Sequence, residues 1–294
     1  MNTTAIVLGA SGLLGTELVR ELALCGWEVI APTHTELNIS DTKAVSDFFA
    51  THTSACVINA AAHIGVDASE LDPLPAWQVN ALGAGNVARA LMQGKHTRTK
   101  LIQVSTNYVF GDAHEQYTEN DRPDPINVYG TTKKAGEELV ENYCRVGTIP
   151  YAIIRTSWLY SPLRETYVDK VATTILRGEV FQAADTHWGN LTSARDLASA
   201  IVASRVTLEE PSGRYHMVNS VAGARGGVSR YGIAICIADT LGVPRDLIKK
   251  GDTPVLGLAV RPRHAILVSN MTPTLPPWEE SLRSYLHSRY QSPK

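Results

Sequence analysis

Short apolar runs alternate with helical patterns through the first half of the chain, and this alternation constrains the fold more than any other feature. Each run is brief and almost wholly apolar, which is typical of a strand buried on both faces of a parallel sheet. The predicted strands are residues 5–8, 27–31, 56–59, 101–105 and 151–155, and the predicted helices are residues 13–24, 44–50, 75–92 and 128–143. The pattern predicts an α/β fold built on a doubly wound parallel sheet.

The second half of the chain is less regular. Its predicted helices are residues 168–177, 194–206, 229–241 and 278–286, and its predicted strands are residues 214–218 and 265–268. The glycine-rich stretch 222–227 is predicted to be a mobile loop. Because no clear linker separates the halves, we expect residues 1–160, with part of 180–220, to form one unit. Most of residues 161–294 should form a smaller lobe packed directly on it.

Charge and cysteine content exclude several classes of protein. The chain has 294 residues, with 27 basic against 29 acidic side chains, and its net charge of −2 gives no electrostatic basis for binding nucleic acid or an anionic membrane. No apolar run is long enough to cross a bilayer, and the N-terminus lacks the pattern of a signal peptide. The four cysteines are far apart, and most lie in apolar contexts: Cys25, Cys56, Cys144 and Cys236. We therefore expect free thiols and a cytoplasmic protein.

Glycines recur at every third position directly after the first predicted strand. Residues 9–15 read Gly-Ala-Ser-Gly-Leu-Leu-Gly and open the first predicted helix. In such a turn Gly9 permits the tight bend, Gly12 lets the backbone approach a pyrophosphate, and Gly15 lets the helix pack against the sheet. The N-terminus of that helix would face the phosphate charge. Glycine triplets are common in α/β proteins, but this one lies between a strand and a helix, which predicts dinucleotide binding.

The end of the second predicted strand bears on the choice of cofactor. Sites that prefer NAD usually place an acid there to hold the ribose 2′-hydroxyl. Here the chain reads Ala-Pro-Thr-His-Thr over residues 31–35, and Glu36 comes slightly late. Since Thr33 or His34 can hydrogen-bond a 2′-phosphate, we predict that NADPH is preferred, with NADH as the alternative.

Polar residues suited to carbonyl chemistry follow on successive elements. Thr106 ends the fourth predicted strand, and Tyr129 and Lys133 lie four residues apart on the next helix, so both point from one face. Carbonyl reduction needs a proton donor, and a nearby ammonium is expected to lower the pKa of a tyrosine. Thr106 is suited to hydrogen-bond the same substrate oxygen. A Tyr/Lys pair alone usually marks an exposed helix face, but its position after a phosphate-binding turn favours a catalytic set.

Longer motifs resemble the extended short-chain dehydrogenase/reductases, and within them the dTDP-4-dehydrorhamnose reductase branch. The matching stretches are N-A-A-A-H at 59–63 with Val66, Asp67 and Glu70 after it, S-T-N-Y-V-F-G at 105–111, E-x-x-x-P-x-P-x-N-x-Y-G-x-T-K-x-x-G-E at 119–137, and R-T-S-W-L-Y at 155–160. Weaker similarity continues to Trp278, so the resemblance covers nearly the whole chain. It implies a Rossmann-type domain that binds NAD(P) and a smaller C-terminal lobe that binds substrate.

The resemblance also implies roles for single residues. Thr106, Tyr129 and Lys133 would be the catalytic set, and the last two would also contact the cofactor. The other cofactor residues it implies are Gly9, Ser11, Gly12, Leu13, Leu14, Gly15, Asn38, Ile39, Ala60, Ala61, Ala62 and Asn80. Val66, Asn107 and Trp158 would face the sugar, and Arg261 would meet the diphosphate of a nucleotide-linked substrate.

The sequence departs from the branch at three positions: Asn38 and Asn107 replace aspartates, and Ala68 replaces a lysine. Two of these lie near the expected sugar, so the identity of the substrate is open. The leading hypothesis is a reductase of a nucleotide-linked 4-keto-6-deoxysugar. The alternatives are an epimerase or dehydratase with a retained cofactor, and a non-catalytic regulatory subunit similar to that of methionine adenosyltransferase. We predict no metal ion, and a homodimer is an assembly that the resemblance allows.

Overall fold

The apolar run at the N-terminus is a buried strand in the computed structural model, which describes residues 3–203, 212–222, 226–251, 258–269, 271 and 275–291. The strands are β1 Thr4–Leu8, β2 Glu28–Ile30, β3 Cys56–Asn59, β4 Lys100–Thr106, β5 Gln116–Tyr117, β6 Tyr151–Thr156, β7 Leu159–Tyr160, β8 Phe181–Ala183, β9 Trp188–Gly189, β10 Thr192–Ser193, β11 Gly213–His216, β12 Asn219–Ser220, β13 Val228–Ser229, β14 Ile248–Lys250, β15 Ile266–Leu267 and β16 Leu275–Pro277. The helices are α1 Leu13–Leu24, α2 Thr42–Thr51, α3 Val66–Leu71, α4 Pro73–Ala76, α5 Ala84–Gln93, α6 Val128–Gly147, α7 Tyr167–Leu176, α8 Ala194–Ala203, α9 Arg230–Leu241 and α10 Trp278–Leu286.

Six of these strands form one sheet in the order β11-β6-β4-β3-β1-β2. Every neighbouring pair in it is parallel. The chain leaves β1 for β2 on one side and then crosses to β3 on the other, so the strand order reverses between β1 and β3. Ligands of open α/β sheets bind outside the carboxyl ends of the strands at such a point. The predicted doubly wound sheet is confirmed, and its switch point lies beside the glycine turn.

Helices cover both faces of this sheet because side chains alternate along each strand. Ile6 and Leu8 of β1 point into a core formed with α2, α5 and α6. Ala5 and Val7 point into the opposite core, which includes Leu18 of α1 and residues of α8. The sheet is therefore apolar on both faces, and its polar chemistry is confined to the strand ends.

The helical pattern predicted for residues 75–92 is confirmed, with an irregularity. A π-helical stretch, Trp77–Gly83, joins α4 to α5. Such stretches are uncommon and often occur at functional sites, because the extra residue per turn redirects side chains. Here the stretch carries Asn80, which is buried.

The residues after β6 build a third core beside the sheet. Val171 of α7, Ile237 of α9 and Leu282 of α10 pack together in it. β11 and α8 instead pack with the large sheet. The division of the chain near residue 160 into a cofactor domain and a substrate lobe stays a prediction.

Most predicted elements are confirmed, with shifts of a few residues at their ends. Residues 204–206, predicted as the end of a helix, and 223–225, in the predicted mobile loop, lie outside the described residues. All four cysteines are free thiols, and burial raises the pKa of Cys56 and Cys144 to about 12. None of the helices in the described stretches combines the length and apolarity needed to cross a membrane.

Candidate active site

A cavity of about 650 Å³ lies at the carboxyl ends of β1, β3, β4 and β6. We call it the sheet cavity. The predicted site residues that line it are Gly9, Ser11, Gly12, Leu13, Leu14, Gly15, His34, Asn38, Ile39, Ala60, Ala61, Ala62, Thr106, Tyr129, Lys133 and Trp158. The fold thus brings the glycine turn and the predicted catalytic set to one cavity, although they are more than ninety residues apart in the chain.

The glycine turn is shaped for the close approach of a phosphate. Gly9 has a φ of 76°, in the left-handed region that favours glycine, and a Cβ there would lie 2.5 Å from the backbone nitrogen of Ala61. Gly12 follows as the N-cap of α1, and the first turn of that helix contains no acidic residue. The free N–H groups of the helix therefore face the cavity without a competing carboxylate, as a pyrophosphate site requires.

Thr33 and His34, both predicted to bind the cofactor, differ in their position relative to the sheet cavity. His34 lines the sheet cavity, whereas Thr33 is not among its lining residues. The backbone N–H and the hydroxyl of Thr33 both donate to the Glu36 carboxylate, at 2.7 and 2.8 Å, and these bonds lower the pKa of Glu36. Among the described residues that line the cavity, the single carboxylate is Glu165, which follows Arg164, whose guanidinium donates to the carbonyl of Ser11 in the glycine turn at 3.5 Å. The wall near His34 and Asn38 therefore tolerates a 2′-phosphate.

Asn80 does not line the cavity but braces its wall. Its side-chain oxygen accepts from the backbone N–H of His63 at 2.9 Å, and its amide donates to the carbonyl of His63 at 3.0 Å. The same amide donates to the hydroxyl of Thr132 on α6 at 3.2 Å. The π-helical stretch thus ties the segment after β3 to the helix that carries Tyr129. Asn80 therefore fixes the position of these two segments, and its predicted contact with a cofactor stays a prediction.

Thr106 and Tyr129 meet at the cavity wall. Burial raises the pKa of Tyr129 to about 12, although the Thr106 hydroxyl beside it acts to lower that pKa. The ring of Tyr108 packs edge-on against the ring of Tyr129, with centroids 5.8 Å apart. Gly130 allows this packing, because a Cβ there would lie 2.0 Å from the carbonyl oxygen of Tyr108. The sequence predicted a lowered pKa for this tyrosine, and that prediction is wrong for the described geometry, in which burial dominates.

Lys133 is buried one turn further along α6. Its ammonium donates to the carbonyl of Val104 at 2.7 Å, and burial lowers its pKa to about 8, while Glu137 opposes that shift. Glu137 also accepts two hydrogen bonds from the fully buried Arg155, at 2.7 and 3.0 Å, and one from Ser105. The buried ion pair between Glu137 and Arg155 thus fixes α6 against β6.

A second cavity, of about 450 Å³, borders the first on the side of the C-terminal lobe. We call it the lobe cavity, and Trp158 and Glu165 line both cavities. Its wall includes the predicted substrate residue Arg261, together with Tyr108, Tyr167 and Arg230. Trp158 has a φ of 35°, an uncommon value for a bulky residue, so its ring is held between the cavities by the surrounding structure.

The sequence model of the RmlD substrate-binding domain matches residues 3–291. A dTDP-4-dehydrorhamnose reductase from Streptomyces griseus is 34% identical over 89% of this chain and 84% of its own length. The spore coat polysaccharide biosynthesis protein SpsK of Bacillus subtilis is 32% identical over 98% of both chains. The crystal structure of a dTDP-4-dehydrorhamnose reductase from Bacillus anthracis in complex with NADP is 28% identical, with a TM-score of 0.87 over 98% of this chain and 100% of that one.

This chain belongs to the RmlD family. The resemblance to extended short-chain dehydrogenase/reductases is thereby confirmed, and the fold agrees with it.

Within this RmlD-family chain, the predicted substrate residues are not all at a cavity. Asn107 is buried, and its amide donates to the carbonyl of Ala265 at 2.9 Å, so it ties the end of β4 to the C-terminal lobe. Val66 opens α3 and, like Asn107, is absent from the walls of the two cavities described. Ala68 is exposed, and Asn38 lines the sheet cavity while its side chain accepts from the backbone N–H of Ser40. Trp158 and Arg261 thus line a cavity and Val66 and Asn107 do not, and the substrate contacts predicted for all four stay predictions.

Several wall residues were not predicted from the sequence to line the site. His63, Ile64 and Arg164 line the sheet cavity, and Tyr167 and Arg230 line the lobe cavity. His63 and Ile64 directly follow the N-A-A-A motif, so their position was open to prediction. Arg230 follows the glycine-rich stretch by only a few residues, and no short motif identifies it.

As for a metal ion, the described residues contain no group of three or more His, Cys, Asp or Glu side chains arranged to hold one.

Proposed function

We propose that this chain is an NADPH-dependent reductase of a nucleotide-linked 4-keto-6-deoxysugar. The observation that carries the proposal is that Thr106, Tyr129 and Lys133 line the same cavity as the glycine turn. Family membership supports the substrate class, since a reductase of dTDP-4-dehydrorhamnose is among the similar proteins. The NADP complex of a similar structure supports the choice of cofactor.

The walls of the sheet cavity fit a dinucleotide. The N-terminus of α1 faces the cavity beside Gly9 and Gly12, where a pyrophosphate would lie. His34 and Asn38 would border the adenosine, and Ala60 to Ala62 would follow the centre of the cofactor. When bound, the reduced nicotinamide would supply the hydride that reaches C4 of the sugar. In this proposal the protein supplies orientation, the proton and the electrostatic environment.

Tyr129 is the proposed proton donor. With a pKa of about 12, its phenol is protonated at neutral pH, which is the form that donation requires. The Thr106 hydroxyl lies beside the phenol and can donate to the substrate oxygen as negative charge develops on it. As C4 accepts the hydride, the carbonyl oxygen takes the proton of Tyr129 and becomes a hydroxyl. Tyr129 is left as phenolate and regains a proton from solvent.

Lys133 supplies positive charge below this pair. Its pKa of about 8 leaves most of the ammonium charged at pH 7. The charge favours the phenolate that Tyr129 becomes during turnover. The bond from its Nζ to the Val104 carbonyl fixes the ammonium against β4.

The decisive test is the fall in NADPH absorbance with a dTDP-4-keto-6-deoxyhexose as substrate. Tyr129→Phe should lower kcat by about 10²- to 10⁴-fold, because general acid catalysis contributes that much, while NADPH still binds. Tyr143→Phe is the matched control, since Tyr143 lies on the same helix but packs against the core, and it should keep full activity. Equal turnover by Tyr129→Phe and the unaltered protein would remove Tyr129 as the acid.

Absence of oxidation in the unaltered protein, with NADPH still bound, would contradict the reductase. It would favour an isomerisation with a retained cofactor or a regulatory role. The buried Asn107 offers no carboxylate for such an isomerisation, and its amide is already donated to Ala265. Tighter binding of NADH than of NADPH would contradict the proposed cofactor.

The inferred cytoplasmic location is supported by the four free thiols, and a homodimer stays a prediction.

A further inference from the structure

Arg230 is a charged wall residue of the lobe cavity that the proposed reaction does not use. It is the first residue of α9, is half-buried, and lines the cavity with its side chain. Its guanidinium carbon lies 4.1 Å from the centroid of the Trp158 ring and 4.5 Å from that of the Tyr167 ring. Two aromatic faces thus hold one cation at the boundary with the sheet cavity.

The guanidinium of Arg230 forms no ion pair within the described part of the chain, although the carboxylate of Glu165 lines the same cavity. Burial lowers the pKa of its guanidinium, and so does the like-charged Arg261, whereas the Tyr108 and Tyr167 hydroxyls act in the opposite direction. A half-buried cation without an anionic partner is costly, and a bound anion would relieve that cost. The second arginine of the wall differs, because Arg261 donates to the carboxylate of Asp67 at 2.6 Å.

The aromatic contacts leave the donors of Arg230 available. Stacking uses the face of a guanidinium, whereas its N–H groups lie in the plane and match a phosphate in pairs. Among the hydrogen bonds of the described residues, Arg230 takes part through its backbone carbonyl, which accepts from the Tyr167 hydroxyl at 2.9 Å, and not through its guanidinium. The side chain is therefore held in place with its hydrogen-bonding edge unused.

We propose that Arg230 binds the diphosphate of the nucleotide-linked substrate and is the main anion-binding residue of the lobe cavity. The inference rests on the substrate class proposed above and assigns the diphosphate to Arg230 in place of Arg261, which the sequence suggested. Trp158 lines both cavities and contacts Arg230 directly, so the residue that holds the diphosphate also packs against the wall of the reaction site.

Calorimetric titration with thymidine diphosphate and with thymidine separates charge recognition from base recognition. Arg230→Met should weaken binding of the diphosphate by about ten- to hundredfold, as expected for the loss of charge-assisted hydrogen bonds. Binding of thymidine and of NADPH should change by less than about threefold. Arg230→Lys keeps the charge but not the planar pair of donors, and it should give an intermediate loss.

Arg263→Met is the matched control. Arg263 is exposed and follows Arg261 by two residues, but it is absent from the cavity wall, so this variant removes one positive charge without removing a contact. It should bind thymidine diphosphate nearly as the unaltered protein does. An equal loss in Arg263→Met and Arg230→Met would show a general field effect and overturn the assignment.

Unchanged binding of thymidine diphosphate by Arg230→Met would overturn the inference and leave the reductase proposal intact. Failure of the unaltered protein to bind thymidine, uridine or guanosine diphosphate would overturn both, because it would remove the nucleotide-linked substrate. Loss of diphosphate binding in Arg230→Met, in a protein that binds the diphosphate but does not oxidise NADPH, would support the inference and contradict the reductase.

Discussion

The sheet cavity and the lobe cavity differ in how the chain builds them. Most of the sheet cavity is formed by segments that directly follow a strand of the parallel sheet, so short motifs describe most of its wall. The lobe cavity combines residues from Tyr108 to Pro262, most of which belong to no motif. Residues at strand ends can be located from short stretches of sequence. Residues that meet only when distant elements pack together can be located only from the complete fold.

Each cavity also rests on an ion pair, and the two pairs differ in burial. Arg155 and Glu137, below the sheet cavity, have side chains that are 0% and 1% exposed. Arg261 and Asp67, beside the lobe cavity, are 31% and 35% exposed. Since burial decides how much an unpaired charge costs, we expect the sheet cavity to be far more sensitive to the loss of its pair.

The largest expected effect is that of Glu137→Gln. It would leave the Arg155 guanidinium buried without a full charge partner, which should lower the free energy of unfolding by about 3–5 kcal/mol. Urea unfolding measures it. Glu138→Gln is the control on the same helix, because Glu138 is 54% exposed where it pairs with Lys134 and should cost under about 1 kcal/mol. Equal losses in the two variants would refute the buried-pair argument.

A smaller effect is expected for Gly9→Ala, which tests the glycine turn. The left-handed backbone alone costs a residue with a Cβ roughly 1–2 kcal/mol, and the contact with Ala61 adds to it. NADPH affinity should fall by at least about tenfold in a binding titration. Gly178→Ala is the control, because Gly178 has the same φ of 76° and no atom lies within 4 Å of the point that its added methyl group would occupy. That variant should lose some stability and keep its NADPH affinity.

Much of the sheet cavity was predictable from the sequence because its residues have fixed positions relative to strands. Gly9, Thr106 and Tyr129 each sit where a strand ends or a helix begins, and period and spacing are enough to place them. The bonding of Asn80 and Asn107 was not predictable in this way. Which way an amide points depends on partners such as His63 and Ala265, which only the folded chain supplies.

The proposed role of Arg230 could not be predicted from the sequence for a related reason. A lone arginine at the start of a helix usually has a solvated charge, and nothing near it in the sequence shows that Trp158 and Tyr167 surround it. The pKa of Tyr129 was predicted in the wrong direction because spacing shows a neighbouring lysine but not burial. Desolvation depends on the complete packing around a group, and here it outweighs the lowering effect of the Thr106 hydroxyl on the pKa of Tyr129.

Lys133, which lines the sheet cavity, should make kcat/KM depend on pH. Burial lowers its pKa from the ordinary 10.5 to about 8, so the ammonium loses its proton as the pH rises through about 8. We expect kcat/KM to fall there, and Lys133→Arg, which does not titrate in this range, to lose that fall. Stability should change oppositely and rise between pH 8 and 10.5, because there the unfolded chain binds the proton and the folded one does not. A flat profile to about pH 10 would contradict this assignment.

The smallest expected effect is that of Asp67→Asn at the lobe cavity. The hydrogen bond from Arg261 lowers the pKa of Asp67, so the stabilisation is present above the ordinary pKa of the carboxyl and is lost as the pH falls through the lower, folded-state value. Because the pair is about one-third exposed, solvent screens it, and the variant should lose under about 1 kcal/mol in urea unfolding at about pH 7. The difference from the unaltered protein should shrink further in acid. A loss as large as that of Glu137→Gln would mean that the lobe cavity depends on its ion pair as strongly as the sheet cavity does, and the contrast between the two cavities would fail.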